Sequence, residues 1–270
     1  MTQPPVIPML VSREAVASPE PYDIVLSNIE VVNELADLLS PDELNQAALT
    51  SYYTDFYYAQ VRDGGFALFV YNSGWSPLVL DAVAAGLDAL DATRQAEVFA
   101  KARDFVDTLT EDELQGFFES DPFGENELRD RINAAAAGFQ DAEADVVERN
   151  AAYLRGNPAL VAVPEEQLAD AIEDVFAALP DRAEREAALE AMPEPEYIQI
   201  IEALCELAEE ELERVTAGTP TEDGEIIWHF LTDKGARYYT ENDGEAVMFD
   251  AEGDTELARV FVLDEVIEEE

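Results

Sequence analysis

Tyr52-Tyr53-Thr54-Asp55-Phe56-Tyr57-Tyr58-Ala59-Gln60-Val61-Arg62-Asp63-Gly64-Gly65-Phe66-Ala67-Leu68-Phe69-Val70-Tyr71-Asn72-Ser73-Gly74-Trp75 gathers nine of the chain's 25 aromatic residues into 24 positions. The glycine pair predicts a break in a helix, Phe66 to Tyr71 a short apolar turn after it, and Asn72-Ser73-Gly74 a stop. Glycine at such a corner avoids Cβ clashes. Asn72 or Ser73 can bond the backbone groups freed at a helix end. The stretch therefore predicts a tight helix–Gly-Gly–helix corner at the centre of a core. Gly64, Gly65, Phe66, Phe69, Asn72 and Ser73 are its structural residues.

Outward from this corner the pattern stays helical. Ile24, Val25, Ile29, Val32, Leu35 and Leu39 recur at spacings of three and four, one face of an amphipathic helix. Ser40-Pro41-Asp42-Glu43 predicts a fresh helix start, with Ser40 as cap, Pro41 in first position and Glu43 closing a capping box. Thr110-Glu111-Asp112-Glu113 repeats the box ahead of Leu114, Phe117 and Phe118, and Ser76-Pro77 opens a helix carrying Leu78, Val79, Val83 and Leu87. Further helices are expected over about 92–107, 141–154, 165–179, 182–191 and 194–215. Residues 1–21, with three prolines in the first eight, read as an extended arm and lack the basic start and apolar run of a signal peptide.

Past Thr216 the grammar changes. Residues 217–224, Ala-Gly-Thr-Pro-Thr-Glu-Asp-Gly, read as a linker of turn formers. Short runs rich in β-branched and aromatic residues follow at 226–231, 237–240, 246–249 and 258–263. The breaks between them, Asp233-Lys234-Gly235, Asn242-Asp243-Gly244 and Glu252-Gly253-Asp254, all contain glycine. Asp243-Gly244 signals a two-residue hairpin. The fold class is therefore mainly α: a compact helical bundle over 22–216, followed by a small C-terminal antiparallel β-sheet within 225–270, α+β overall. A sheet of about 45 residues is marginal alone, so it needs the helices or another copy of itself. The oligomeric state stays open, a homodimer included. Glu268-Glu269-Glu270 reads as a solvated end.

Charge constrains partners more than any motif does. Sixty-one acidic residues face fifteen basic ones, a net charge of −46. Direct nucleic-acid binding needs clustered Lys and Arg to neutralise phosphates, and an anionic membrane surface needs the same. Both are disfavoured, and no run of roughly 18 apolar residues exists to span a membrane. Residues 161–217 hold seventeen acids and three bases, and residues 218–270 sixteen and three, so 161–270 carry −27 of the total. Only Lys101 and Lys234 are lysines. That composition also fits a halophilic, salt-adapted surface, and composition alone leaves this reading open. The single cysteine, Cys205, reads as a small buried hydrophobe in a reduced, cytoplasmic setting.

Catalytic chemistry finds little to stand on. His229 is the only histidine, in an expected strand, and no nucleophile or orienting acid is placed with it. One Cys and one His exclude Cys/His zinc sites, and no phosphate-cradling or dinucleotide glycine motif occurs. The Glu241–Gly244 and Asp250–Asp254 segments lack calcium-loop ligand spacing. No cofactor or metal site is expected. A carboxylate-based hydrolase or metal-dependent enzyme is the remaining reading from a different class.

The motif itself, Tyr-Tyr and then Val-x-x-Gly-Gly-Phe-x-x-Phe-x-x-Asn-Ser, resembles the DNA mimic protein 19 family over roughly residues 40–160. Gly64, Gly65, Phe66, Phe69, Asn72 and Ser73 match, whereas Asp63 replaces the family's Asn, and Leu68 and Val70 replace its Gln and one Phe. Asn150 to Pro158 fits the family's closing helix more loosely. The resemblance implies a helical bundle without catalytic residues, and a family named for a member that acts as a DNA mimic. With this charge, the function expected is a non-enzymatic acidic interaction protein that binds a basic, DNA-binding protein. Carboxylates three and four residues apart on a helix stand about 5–6 Å from one another, comparable to phosphates along a strand. Glu202, Glu206, Glu209, Glu210 and Glu213 form the best such stripe. The alternative is an orphan helical domain of unknown function whose acidity is salt adaptation.

Overall fold

In the computed structural model the chain divides into two compact units, the first holding the described residues up to Ala191 and the second those from Pro195 on. The structure describes residues 7–120, 126–142, 144–191, 195–220, 226–242, 244–251 and 255–262. The first unit runs β1 (Met9–Ser12), α1 (Arg13–Ala17), α2 (Pro21–Ala36), α3 (Gln46–Ser73), α4 (Pro77–Ala89), α5 (Thr93–Val106), α6 (Glu111–Phe118), α7 (Glu127–Ala135), α8 (Val146–Gly156), β2 (Leu160–Val163), α9 (Leu168–Ala177) and α10 (Arg182–Glu190). The second contains α11 (Glu196–Ala208), then β3 (Leu212–Pro220), β4 (Ile226–Thr232), β5 (Gly235–Asn242), β6 (Glu245–Asp250) and β7 (Glu256–Phe261). These five strands form an antiparallel meander in sequence order. The mainly helical chain with a C-terminal antiparallel sheet is thus the one the periodicity predicts.

The aromatic stretch lies on α3, and its glycine pair bends the helix. Gly65 adopts φ 80, ψ 176 between two helical halves, a conformation that side chains with a Cβ avoid. The break frees backbone N–H groups at the start of the second half, and Asn133 of α7 takes one: Ala67 N–H donates to Asn133 Oδ1 at 2.8 Å. A Cβ on Gly65 would lie 2.4 Å from that same oxygen. The bend folds the aromatic residues onto one core. Phe66 and Phe69 are 1% and 0% exposed, and Tyr57 meets Phe69 and Phe99 edge-on at centroid distances of 5.4 and 5.2 Å. Phe66 to Tyr71 is helix rather than the expected turn, because the capped second half simply continues to Ser73.

A second core in this unit lies among β1, α2, the start of α3, α8 and α9, built on Met9, Val11, Ile24, Val32, Leu154 and Ile172. Two buried asparagines hold α3 there. Asn28 Nδ2 donates to Ala48 O at 3.0 Å and Asn150 Nδ2 to Ser51 O at 3.1 Å, carbonyls one turn apart.

Three local expectations give way to long-range contacts. The N-terminal arm, expected as extended and loose, is anchored from Ile7 on: β1 pairs in parallel with β2 and Val11 is fully buried; residues 1–6 lie outside the described residues. Ser40 does not start a helix. Its N–H donates to Glu43 as a capping box requires, but α3 begins at Gln46 with Asn45 as its cap. Glu43 also forms a bidentate pair with Arg185 of α10, both contacts 2.7 Å. The helix expected over 194–215 stops at Ala208, Glu209 turns left-handed at φ 54, and β3 starts at Leu212. Residues 217–220, expected in the linker, therefore pair with β4, while 221–224, Asp243, Glu252-Gly253-Asp254 and Glu268-Glu269-Glu270 lie outside the described residues.

In the second unit α11 lays Ile201, Leu204 and Cys205 on the sheet face carrying Phe230, Tyr239, Ala246 and Met248. Burial accounts for Cys205 as the small hydrophobe expected, and pushes its thiol up to about 11.

Candidate acidic interaction surface

The five glutamates of the expected stripe separate into three environments. Glu202 and Glu206, one turn apart on α11, are both exposed. Glu209 is exposed at the left-handed turn that ends the helix, and Glu213 is exposed on β3. Glu210 points inward. Its side chain is 5% exposed, and it accepts from Arg237 Nε and Nη2, both at 2.9 Å, and from Thr232 Oγ1 at 2.6 Å. Burial raises its pKa, but the guanidinium and the hydroxyl outweigh burial and hold it below the usual carboxylate range. Lys234 Nζ donates to Glu209 O at 2.7 Å and closes the same turn. Periodicity placed all five on one helical face. The structure keeps only Glu202 and Glu206 there, because the helix ends before Glu209.

The motif residues face other parts of the protein. Gly64, Gly65, Phe66 and Phe69 build the α3 bend and its core. Ser73 donates to Val70 O at 3.2 Å and accepts from Trp75 N–H, closing the helix end as expected of it, and Asn72 Nδ2 reaches back across the bend to Gln60 Oε1.

Ion pairing among the described residues is the work of arginine. Eight arginines, at 62, 103, 129, 149, 182, 185, 237 and 259, make every salt bridge described. Fifteen bases cannot answer 61 acids one for one. On α9, Asp170, Glu173 and Asp174 are exposed at helical spacing, with Glu173 bonded to Arg182 at 2.5 Å. Three consecutive acids, Glu111, Asp112 and Glu113, open α6. There they meet the positive end of the helix dipole, and the Thr110–Glu113 capping box forms as its spacing predicts.

One buried carboxyl escaped the sequence reading. Asp55 on α3 is 7% exposed; burial pushes it up to about 6, and the Arg62 charge offsets only part of that. The signal was present in the chain: Asp55 shares a helical face with the buried Ser51 and stands one residue from the buried Thr54.

Among the described residues no group of three His, Cys, Asp or Glu could hold a metal ion, and no helix is long and apolar enough to cross a membrane. His229 stands on β4 beside Tyr238, with ring centroids 5.8 Å apart.

Residues 42–157 match the family described as DMP19-like protein. No curated protein and no solved structure matches the chain. The matched segment holds 22 acids and eight bases, a net of −14, about half the charge that residues 161–270 carry in a similar length.

Proposed function

We propose, from the premise that residues 42–157 form a DMP19-like domain, that this chain is a non-enzymatic acidic interaction protein of the DNA-mimic type. Its partner is a basic, DNA-binding protein whose groove the acidic surface occupies in place of DNA. The observation that carries the reading is the joint occurrence of that domain and a net charge of −46. Duplex DNA presents one negative charge per about 1.7 Å of its axis, and an acidic face competes for the same groove through complementary charge and fast, steered encounter. The exposed carboxylates of the C-terminal region, Glu202, Glu206, Glu209 and Glu213 among them, are the contact groups. Glu210 is set apart as a structural group, because its charge is already answered by Arg237.

The test is capture from native lysate on the immobilised full chain at low salt, followed by competition with duplex DNA. The expected result is a DNA-binding protein released both by duplex and by added salt, since screening acts within about 8–10 Å at physiological ionic strength. A captured protein that holds duplex and this chain together overturns the mimic reading. Recovery of no DNA-binding protein leaves the scarcity of lysine, two of fifteen bases, as the mark of a salt-adapted surface.

A further inference from the structure

The second unit contains a cleft of about 440 Å³ whose walls include Glu196, Tyr197, Ile226, Trp228, Tyr239 and Glu241. Sheet geometry explains how they converge. Trp228 of β4 and Tyr239 of β5 are cross-strand partners. Ile226 and Glu241 each stand two residues along, and so project on the same face. The first turn of α11 brings Glu196 and Tyr197 over that face. Tyr197 lies flat on Trp228, with ring centroids 3.9 Å apart and planes within 6°. The stacked pair presents a broad aromatic surface to the cleft. Burial, and after it the charges of Glu241 and Glu196, hold the Tyr239 hydroxyl in its protonated form, so both carboxylates act on the same corner of the cleft. Among the described residues that line it, none is basic.

This combination selects its ligand by elimination. Two carboxylates repel anions and disfavour a neutral apolar guest. An inorganic cation prefers a shell of oxygen ligands and gains little from an aromatic wall. A flat, weakly hydrated organic cation uses both features, stacking on an aromatic face and donating in parallel to carboxylate oxygens. We propose that the cleft binds a guanidinium group, stacked against the Trp228–Tyr197 pair and hydrogen-bonded to Glu196 and Glu241. Its source is either a small free guanidine compound or an arginine side chain presented by a partner protein. The site lies outside the DMP19-like segment and does not depend on the DNA-mimic reading.

The chain has two tryptophans, Trp75 and Trp228, one in each unit. Full-length protein labelled with 5-fluorotryptophan therefore gives two fluorine resonances, assigned with Trp228→Phe. Titration with agmatine should move the Trp228 resonance saturably and leave Trp75 in place. N-butylurea, planar but uncharged, should move neither. Glu196→Gln and Glu241→Gln should each weaken agmatine about tenfold, the scale of one charged hydrogen bond, whereas Glu202→Gln should not. Glu196 is exposed on the first helical turn, so its variant keeps the fold, and the unliganded Trp228 resonance checks this. A capped arginine tripeptide that binds more tightly than agmatine identifies a protein side chain as the source; the reverse order identifies a free small molecule. An unmoved Trp228 resonance, equal response to N-butylurea, or an unchanged Glu196→Gln titration overturns the site. Any of these leaves the acidic-surface reading to its own competition experiment.

Discussion

Asp55 in the helical unit, a buried residue, and Glu210 in the sheet unit, whose side chain is 5% exposed, are carboxylates withdrawn from water that titrate in opposite directions. Asp55 was placed by helical periodicity on a face that packs inward, and Arg62 only partly offsets its loss of water. Glu210 sits where a helix ends and a strand begins, and Arg237 grips it with two parallel hydrogen bonds. Burial alone therefore does not decide what a carboxylate does to stability; the cation brought to it by the tertiary fold does. At Asp55 the helical unit carries an acid only partly compensated within its packing, whereas at Glu210 the sheet unit closes its helix–strand turn with an ion pair.

That contrast can be broken in several ways, each read separately at Trp75 for the helical unit and Trp228 for the sheet unit. Phe69→Ala removes a fully buried ring that contacts Phe56, Tyr57, Phe66 and Phe99. It should cost about 3–5 kcal/mol in urea melts followed at Trp75, and a loss below about 1 kcal/mol would take the aromatic core out of the account. Glu210→Gln removes the charge that answers the Arg237 guanidinium, whose side chain is 12% exposed and whose other acceptors are the Lys234 and Ala236 carbonyls. A cost of roughly 3 kcal/mol is expected at Trp228, with Trp75 unchanged.

Gly65→Ala forces a Cβ into positive φ and against Asn133, for about 2–3 kcal/mol. Combined with Asn133→Ala the clash is gone, so the double variant should lose less than the two single losses added together.

pH separates the two acids with opposite signs. Asp55 binds its proton more tightly folded than unfolded, so stability of the helical unit should rise as pH falls through about 6 towards 4. Glu43, held at about 2 chiefly by Arg185, contributes above its ordinary range near 4.5 and loses that contribution as pH falls towards 2. Glu210 is likewise depressed, so the sheet unit should only weaken below that range through this group. Asp55→Asn should flatten the rise between pH 6 and 4 and stabilise the helical unit by roughly 2 kcal/mol at pH 7. A rise that survives the substitution would assign it to relief of the −46 charge instead. Smallest of all, Glu202→Gln, Glu206→Gln and Glu213→Gln together should change stability by under about 0.5 kcal/mol, while partner capture becomes less sensitive to salt.

Several elements were legible because their cause is local. Alternation at three and four residues marked α2, the Thr110 box marked α6, and Gly64-Gly65 marked the α3 bend. Turn residues with β-branched runs marked β4 to β7 of the meander but not β3, which was expected as helix and linker. The candidate surface was legible only in part: the exposure of Glu202 and Glu206 follows from helix periodicity, but the end of α11 at Ala208 does not. Composition could not show that Glu210 is a structural ion, since its partner lies 27 residues on.

What the sequence determined by itself was the mainly helical class with a C-terminal antiparallel sheet, the acidic balance of −46, and the likeness of residues 42–157 to the DMP19-like family. Only the tertiary structure decided which polar groups are structural. Arg185 reaches Glu43 across 142 residues. β2 turns the N-terminal arm into a strand some 150 positions away. Asn133 caps a helix half that its own neighbours cannot. Periodicity and capping report energies between residues a turn apart. Burial and pairing depend on which distant segments share a core, and that information arises only when the chain closes on itself.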